Sequence, residues 1–291
     1  MDVDKIKQGL KRHGYIVDDN TANVLRYAVL LKKPLLIEGP PGSGKTELAK
    51  TWSRFTGREL IRLQCYEGID ENKALYEWDY RKQLLYIQAN GKGTSEWQAT
   101  STHIYSEDFI LKRPLLKAIA SETPPVLLID EVDKSDDAFE SFLLEMLSDW
   151  QISIPEIGTI RAGNIPSVLL TSNNSRDLSQ ALRRRCLYLY LDYPNEQREL
   201  EILKTHFPSL KEEPARQALT FIRKLRRERL KKHPSISEVI DWIRLLENEE
   251  SVLSAEAIAS SLNILLKHHE DCRTVMAKID EENLLDGICD P

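Results

Sequence analysis

Residues Gly39 to Thr46 read GPPGSGKT, which satisfies G-x-x-x-x-G-K-[ST] in full. The stretch follows PLLIE (34 to 38), a short apolar run of strand type, and opens a helical pattern from Lys45 to about Phe55. Glycines let successive N–H groups turn towards one point, and a helix starting there adds the positive end of its dipole. Strand, tight turn and helix in this order begin a parallel α/β sheet. The turn suits a polyphosphate. Gly39, Pro40, Pro41, Gly42, Ser43, Gly44, Lys45, Thr46 and Glu47 are therefore candidate contacts to ATP. Lys45 would reach the β- and γ-phosphates, and Thr46 would ligate Mg²⁺. A chance glycine-rich turn is the bland alternative, and the flanking strand and helix count against it.

The chain beyond the loop keeps alternating. Apolar spacing predicts a helix over Asn20–Lys32. Further strands are expected at Glu59–Leu63, VLLID (126 to 130), SVLLT (167 to 171) and CLYLYL (186 to 191). Helical patterns lie between most of them, which implies a doubly covered parallel sheet. After Tyr193-Pro194 the strand-like runs stop. Helices are expected near Glu196–His206, Ala215–Lys231, Ser237–Asn248 and Ser254–His268. A length of 291 residues suits one large domain or two unequal ones, and the change of character draws an α/β domain over 1–193 and a helical one over 194–291. Residues 66–113 are long for a link between a strand and a helix and contain a polar, glycine-containing stretch at 90–95, the mark of a loop that is functional or mobile. Residues 151–162, QISIPEIGTIRA, read as a β-hairpin.

Three further blocks carry chemistry. In VLLIDE (126 to 131) the apolar residues bury a strand, so Asp130 emerges at its carboxyl end, where parallel sheets hold ligands. Asp130 is a candidate for magnesium, and Glu131 for accepting the proton of an attacking water. A solvated acidic strand end is the alternative. LLTSNN, followed by Ser175, ends another strand in amides. Asn173 is the candidate for orienting the water, ahead of Asn174, and a turn-forming Asn pair is the competing account. ALRRRC (181 to 186) places three arginines at a helix end. They suit a solvated cluster at a helix C-terminus as well as they suit an arginine finger acting on a neighbouring subunit's ATP.

Composition closes off other classes. The chain is 41% apolar and 30% charged with a net charge of −6, which gives no reason to expect a nucleic-acid backbone as the main partner. Cys65, Cys186, Cys272 and Cys289 form no C-x-x-C pair or zinc spacing, and His268-His269 has no spaced partner ligand. The N-terminal residues lack the apolar core of a signal peptide and no apolar run could span a bilayer, so a cytoplasmic protein is expected. Tyr76, Trp78, Tyr80 and Trp97 read as packing or partner contacts rather than base-stacking groups. The basic run Arg223–Lys232 reads as a solvated helix face.

These elements in this order resemble the AAA+ ATPases, and the likeness narrows to the MoxR family and its CoxD-like branch. It is carried by PLLIEGPPGSGKTELAK (34 to 50), LLIDEVDKSDDAFESFLLEML (127 to 147), IPEIGTIRA (154 to 162), LLTSNNSRDLSQALRRRCLYLYLDYP (169 to 194) and PSISEVIDWIRLL (234 to 246), and covers roughly residues 13 to 250. The resemblance implies a parallel sheet of order 5-1-4-3-2 followed by a helical lid. It implies an insertion within 66–113, and ATP held between subunits of a homo-oligomeric ring, typically a hexamer. It assigns Arg185 as the finger with Arg184 as fallback, and Gly14, Tyr15 and Ile16 to the adenine pocket. It implies a partner with a von Willebrand A domain and a client enzyme that is remodelled or supplied with metal. One departure stands out. Where many relatives carry a lid arginine on the γ-phosphate, this chain reads Ser235-Ile236-Ser237-Glu238, and Arg244 lies two turns on.

The expected activity is Mg²⁺-dependent ATP hydrolysis that drives remodelling or maturation of a protein complex. The rival class is a nucleic-acid machine of clamp-loader or helicase type. A third is a non-hydrolysing scaffold, against which Lys45, Asp130 and Glu131 argue.

Overall fold

The fold was analysed in a computed structural model, which describes residues 2–90, 103–248, 254–281 and 284–285. Nine strands are numbered in chain order: β1 (Leu35–Glu38), β2 (Leu60–Gln64), β3 (Tyr76–Trp78), β4 (Ile110–Lys112), β5 (Val126–Asp130), β6 (Gln151–Ile154), β7 (Gly158–Arg161), β8 (Ser167–Ser172) and β9 (Leu187–Tyr190). Five of them form one parallel sheet in the order β2-β5-β8-β1-β9. Counting only these five along the chain, this is the expected 5-1-4-3-2 order read from the other edge.

Position in the sheet explains the sequence of each strand. β1 and β5 are buried along their whole length and β8 along all but its first residue, because helices cover both faces of the central strands. The edge strands β2 and β9 alternate between buried and accessible residues. Pairing aligns Leu35 with Leu169 and Leu187, Ile129 with Leu170, and Gln64 with Asp130. The carboxyl ends carrying Glu38, Gln64, Asp130 and Ser172 therefore lie along one side of the sheet. The core beneath them is aliphatic, with Leu36, Leu127, Ile129, Leu143, Met146 and Leu170 essentially inaccessible. Each such side chain contributes about 1.5–3 kcal/mol of burial.

The expected hairpin forms as β6 against β7, with Ile152 opposite Ile160. It leaves helix Asp137–Asp149 through Trp150, which adopts the left-handed conformation and donates its N–H to the Met146 carbonyl at 3.0 Å. The long segment at 66–113 is closed at its base by the antiparallel pair β3–β4, with Trp78 opposite Ile110. Trp78 packs edge-on against Tyr76 and Tyr105, which agrees with the packing account, whereas Tyr80 is 63% exposed. Asn90 heads the polar stretch at 90–95, and the rest of that stretch, with Trp97, lies outside the described residues.

The remaining core is helical. It is built by Glu196–His206, Glu212–Arg227, Ile236–Asn248, Ala255–Leu265 and His269–Glu281. Asn195 and Ser254 cap two of these by accepting N–H groups of Arg198 and Ala257 at 3.0 and 3.1 Å. Phe221 and Trp242 centre this core, and the Trp242 indole donates to Ser261 Oγ at 2.7 Å. The helices nearest the two ends of the chain lie outside the expected set, as does Tyr80–Asn90 within the 66–113 segment. Val3–Arg12 buries only Ile6 and Leu10, too few apolar residues to stand out, and His269–Glu281 buries chiefly Val275. Within the basic run Arg226 pairs with buried Glu199 at 2.7 Å, while Arg223 pairs with Glu196 at 2.5 Å between solvent-exposed side chains.

Contacts group the chain into two compact units: residues 1–6, 19–38 and 46–190, and residues 7–18, 39–45 and 191–291. The turn of the phosphate loop belongs to the second.

Candidate nucleotide site

In the first unit the site is built at the carboxyl ends of β5, β8 and β2. Asp130 ends β5 and is 2% exposed. Its Oδ1 accepts the Thr46 hydroxyl at 3.0 Å and the Thr171 hydroxyl at 2.5 Å, and its Oδ2 accepts two nitrogens of Arg62 at 3.0 and 2.6 Å. Thr46 and Asp130 thus bring two hard oxygen groups together, the donor type that Mg²⁺ takes. Glu131 follows with φ 56°, a left-handed conformation that costs a β-carbon-bearing residue about 1–3 kcal/mol. Thr171 holds it there by accepting the Glu131 N–H at 2.9 Å, so one hydroxyl fixes both acids.

The Glu131 carboxylate accepts three donors: Gln64 Nε2 at 2.9 Å, Lys134 Nζ at 2.6 Å and Asn173 Nδ2 at 3.4 Å. The two candidates Glu131 and Asn173 therefore stand together. Asn174 instead adopts φ 58° and donates its N–H to Ser172 Oγ at 3.0 Å, the behaviour of a turn residue. Sequence reading missed Arg62, Gln64, Thr171 and Lys134. Arg62 and Gln64 occupy the accessible positions of edge strand β2, and no motif marks them.

Charge is concentrated here. Burial raises the Cys65 thiol to about 12, and the Asp130, Asp133 and Glu131 carboxylates add to the effect. Burial also opposes ionisation of Asp133. The hydroxyl and N–H of Ser175 at 2.6 and 2.9 Å and the Asn173 N–H at 3.2 Å outweigh it and hold that carboxyl below its ordinary range.

The arginine cluster is three separate cases. Helix Gln180–Arg185 is capped by Ser179, which accepts the Leu182 N–H at 3.2 Å. Arg183 pairs with buried Glu38 at 2.7 Å. Arg185 donates to Ser148 Oγ and, at 3.1 Å, to the Ala181 carbonyl. Arg184 is exposed. Glu47 is spent on its own helix, facing Lys50 at 3.4 Å and Arg54 at 3.2 Å.

In the second unit the loop is held from three sides. A β-carbon on Gly42, at φ 80°, would collide with the Ser235 side chain, so both conformation and space require glycine. Tyr193 donates to the Pro41 carbonyl and Tyr15 to the Gly44 carbonyl, each at 3.1 Å. Tyr15 is thus on the loop, while the neighbouring Ile16 carbonyl accepts Arg198 at 2.7 Å. Lys45 is buried and donates to the Gly39 and Pro40 carbonyls, both at 2.8 Å. Ser43 Oγ is buried with no hydrogen-bond partner among the described residues, an orphan that a phosphate oxygen would satisfy. Where a lid arginine was expected, Ser235 precedes helix Ile236–Asn248 and its N–H donates to Glu238 at 2.9 Å, while Arg244 is exposed and turned to Asp241 at 3.2 Å.

Comparison with known proteins fits this geometry. Residues 34–186 match the model of the AAA domain, dynein-related subfamily. The chain is 31% identical over 166 residues to a mitochondrial Lon protease homologue of Phaeodactylum tricornutum, covering 52% of this chain and 16% of that protein. It is 31% identical over 163 residues to midasin of Dictyostelium discoideum, covering 53% of this chain and 2% of that protein. With the Lon protease of Rickettsia typhi the identity is 24% over 301 residues, 98% of this chain and 34% of the other. The chain thus spans about a third or less of the length of these relatives. In fold it is similar to a Thermotoga maritima RuvB mutant, with a TM-score of 0.50 at 17% identity over 97% of this chain and 77% of that one. The family match takes in β1, the phosphate loop, the acidic end of β5, the amide end of β8 and the arginine helix, and the chain belongs to the AAA domain family, in its dynein-related subfamily.

Proposed function

We propose that this chain is a MoxR-type motor, of the CoxD-like branch, that hydrolyses Mg²⁺-ATP to remodel or mature a protein complex. The observation that carries the reading is the Glu131 carboxylate, held within hydrogen-bond reach of Asn173 directly after an Asp130 paired with Thr46. In this account the loop N–H groups and Ser43 take the polyphosphate. Lys45 exchanges its two loop carbonyls for β- and γ-phosphate oxygens. Thr46 and Asp130 would hold a magnesium ion, which would neutralise phosphate charge. Water attacks the γ-phosphorus, Glu131 receives its proton, the bond to ADP breaks, and Asn173 orients the water. Arg185, or else the exposed Arg184, acts on the ATP of a neighbouring subunit in a homo-oligomeric, hexameric ring. Residues 1–193 form the ATPase domain and 194–291 the lid. Tyr15 and Ile16 take the adenine.

A cytoplasmic protein client and a von Willebrand A partner, rather than nucleic acid, are supported by the net charge of −6, by the β6–β7 hairpin and by the insertion at 66–113. No helix among the described residues is long and apolar enough to cross a membrane. The test is phosphate release measured with the protein by itself, with duplex DNA, with RNA and with a purified von Willebrand A-domain protein. Stimulation by the protein only is expected. Stimulation by DNA or RNA would move the chain to the nucleic-acid machines, and no turnover in any arm would make it a scaffold.

A further inference from the structure

A second concavity opens in the first unit at the other ends of the strands. It has a volume of about 390 Å³ and is lined by residues that precede β1, β2, β5 and β8. Lys32, Lys33 and Arg58 line it together with Val29, Pro124 and Ile165. Carboxylates are missing from its lining among the described residues, and none of the three cations makes an ion pair or a side-chain hydrogen bond there. This reverses the rest of the molecule, where acidic side chains outnumber Lys and Arg by 46 to 40 and most cations near the functional groups are paired.

The grouping has a structural origin. Lys32 follows the last residue of helix Asp19–Leu31 in the left-handed conformation, φ 51°, where glycine is the usual choice, and Lys33 donates its N–H back to the Ala28 carbonyl at 3.1 Å. The helix dipole accounts for two lysines at that end. It does not account for Arg58, which comes from the turn before β2, where Ser53 Oγ donates to the Arg58 carbonyl at 2.6 Å. The opposite wall is fixed as well: Asn164 Nδ2 donates to the Glu122 carbonyl at 2.6 Å, and the Ser167 N–H to the Pro125 carbonyl at 2.9 Å.

We propose that this cavity binds a small phosphorylated anion carrying at least two negative charges, at a site separate from the phosphate loop. The volume lies in the range of small-molecule sites. The guanidinium supplies a planar fork for two phosphate oxygens, the lysines supply point charges, and the apolar wall takes an uncharged moiety.

The probe is inorganic tripolyphosphate, titrated by calorimetry into protein saturated with ADP, which occupies the phosphate loop. Wild type should show one further site, weakened at least about tenfold in Lys33→Gln/Arg58→Gln and weakened by added salt. The affinity of that variant for ADP should stay unchanged, which verifies that it is folded. Absence of a second site in wild type, or equal binding in the variant, overturns the proposal. A parallel titration with hexaglutamate separates the sources of charge: tighter binding than tripolyphosphate would make the cavity a dock for an acidic protein segment and overturn the small-ligand assignment. Because ADP binding is read in the same experiment, failure here is distinguishable from failure of the nucleotide-site assignment.

Discussion

Replacing Glu131 by glutamine should separate binding from chemistry. The side chain keeps its length, and its single oxygen can still accept Gln64 Nε2 and Lys134 Nζ, now at 2.9 and 2.6 Å. Its new NH₂ would then face Asn173, whose amide can rotate to present oxygen. What is lost in stability is the Lys134 ion pair, between side chains that are 49% and 32% exposed, worth about 0.2–1 kcal/mol. What is lost in catalysis is the proton acceptor. General-base catalysis is worth about 10²–10⁴ in rate, or about 2.7–5.5 kcal/mol of barrier. Catalytic loss therefore exceeds folding loss severalfold, and the two can be read apart. Phosphate release at saturating ATP should fall at least about 100-fold, with ATP affinity by calorimetry and the urea midpoint both close to wild type. Turnover within a few-fold of wild type would show that another group takes the proton. A parallel loss of affinity would show that Glu131 organises the pocket rather than the water.

Lys45→Ala should abolish ATP binding while the protein stays folded, and retained affinity in calorimetry would refute the loop assignment. Arg185→Ala should bind ATP yet hydrolyse it about 10³–10⁵-fold more slowly. Mixing it with Lys45→Ala should restore part of the activity, whereas co-assembled but inactive mixtures, followed by native mass spectrometry, would pass the role to Arg184 or remove it. Trp242→Ala empties the centre of the helical core and loses the bond to Ser261, so urea unfolding should show a loss of about 3–5 kcal/mol in the transition that reports the second unit; a loss below about 1 kcal/mol would mean the core collapses around the gap. Asp133 is held below its ordinary range, so its stabilisation is present above the unfolded carboxylate pKa and is lost as pH falls through the folded one. The stability gap between wild type and Asp133→Asn should therefore be widest near pH 7 and close in acid, and a gap independent of pH would assign Asp133 a purely steric role.

Local pattern was enough to place the buried strands and the chemical groups at their carboxyl ends, while the strand order came from the family resemblance. Buried parallel strands are runs such as LLIE and VLLID, and the residue that ends such a run must emerge where the next loop begins. Asp130, Glu131 and Asn173 were therefore placed by strand length, and GPPGSGKT by its glycines. Tertiary structure decided what the local pattern cannot encode. Arg62 and Gln64 sit on an edge strand with no motif, and only the pairing of β2 with β5 carries them to Asp130 and Glu131. Thr171 reads as one more residue of a buried strand until its hydroxyl is seen bridging both acids. Three adjacent arginines look equivalent in sequence, yet packing gives Arg183 to Glu38, Arg185 to Ser148, and leaves Arg184 exposed. The same holds for the pair Lys32 and Lys33 and for Arg58, which come from separate turns before β1 and β2 and acquire a common cavity only because parallel strands start on the same side of the sheet. Hydrophobic periodicity is local and records which face is buried. The partners of a charged side chain depend on strand order, which is fixed by the whole sheet.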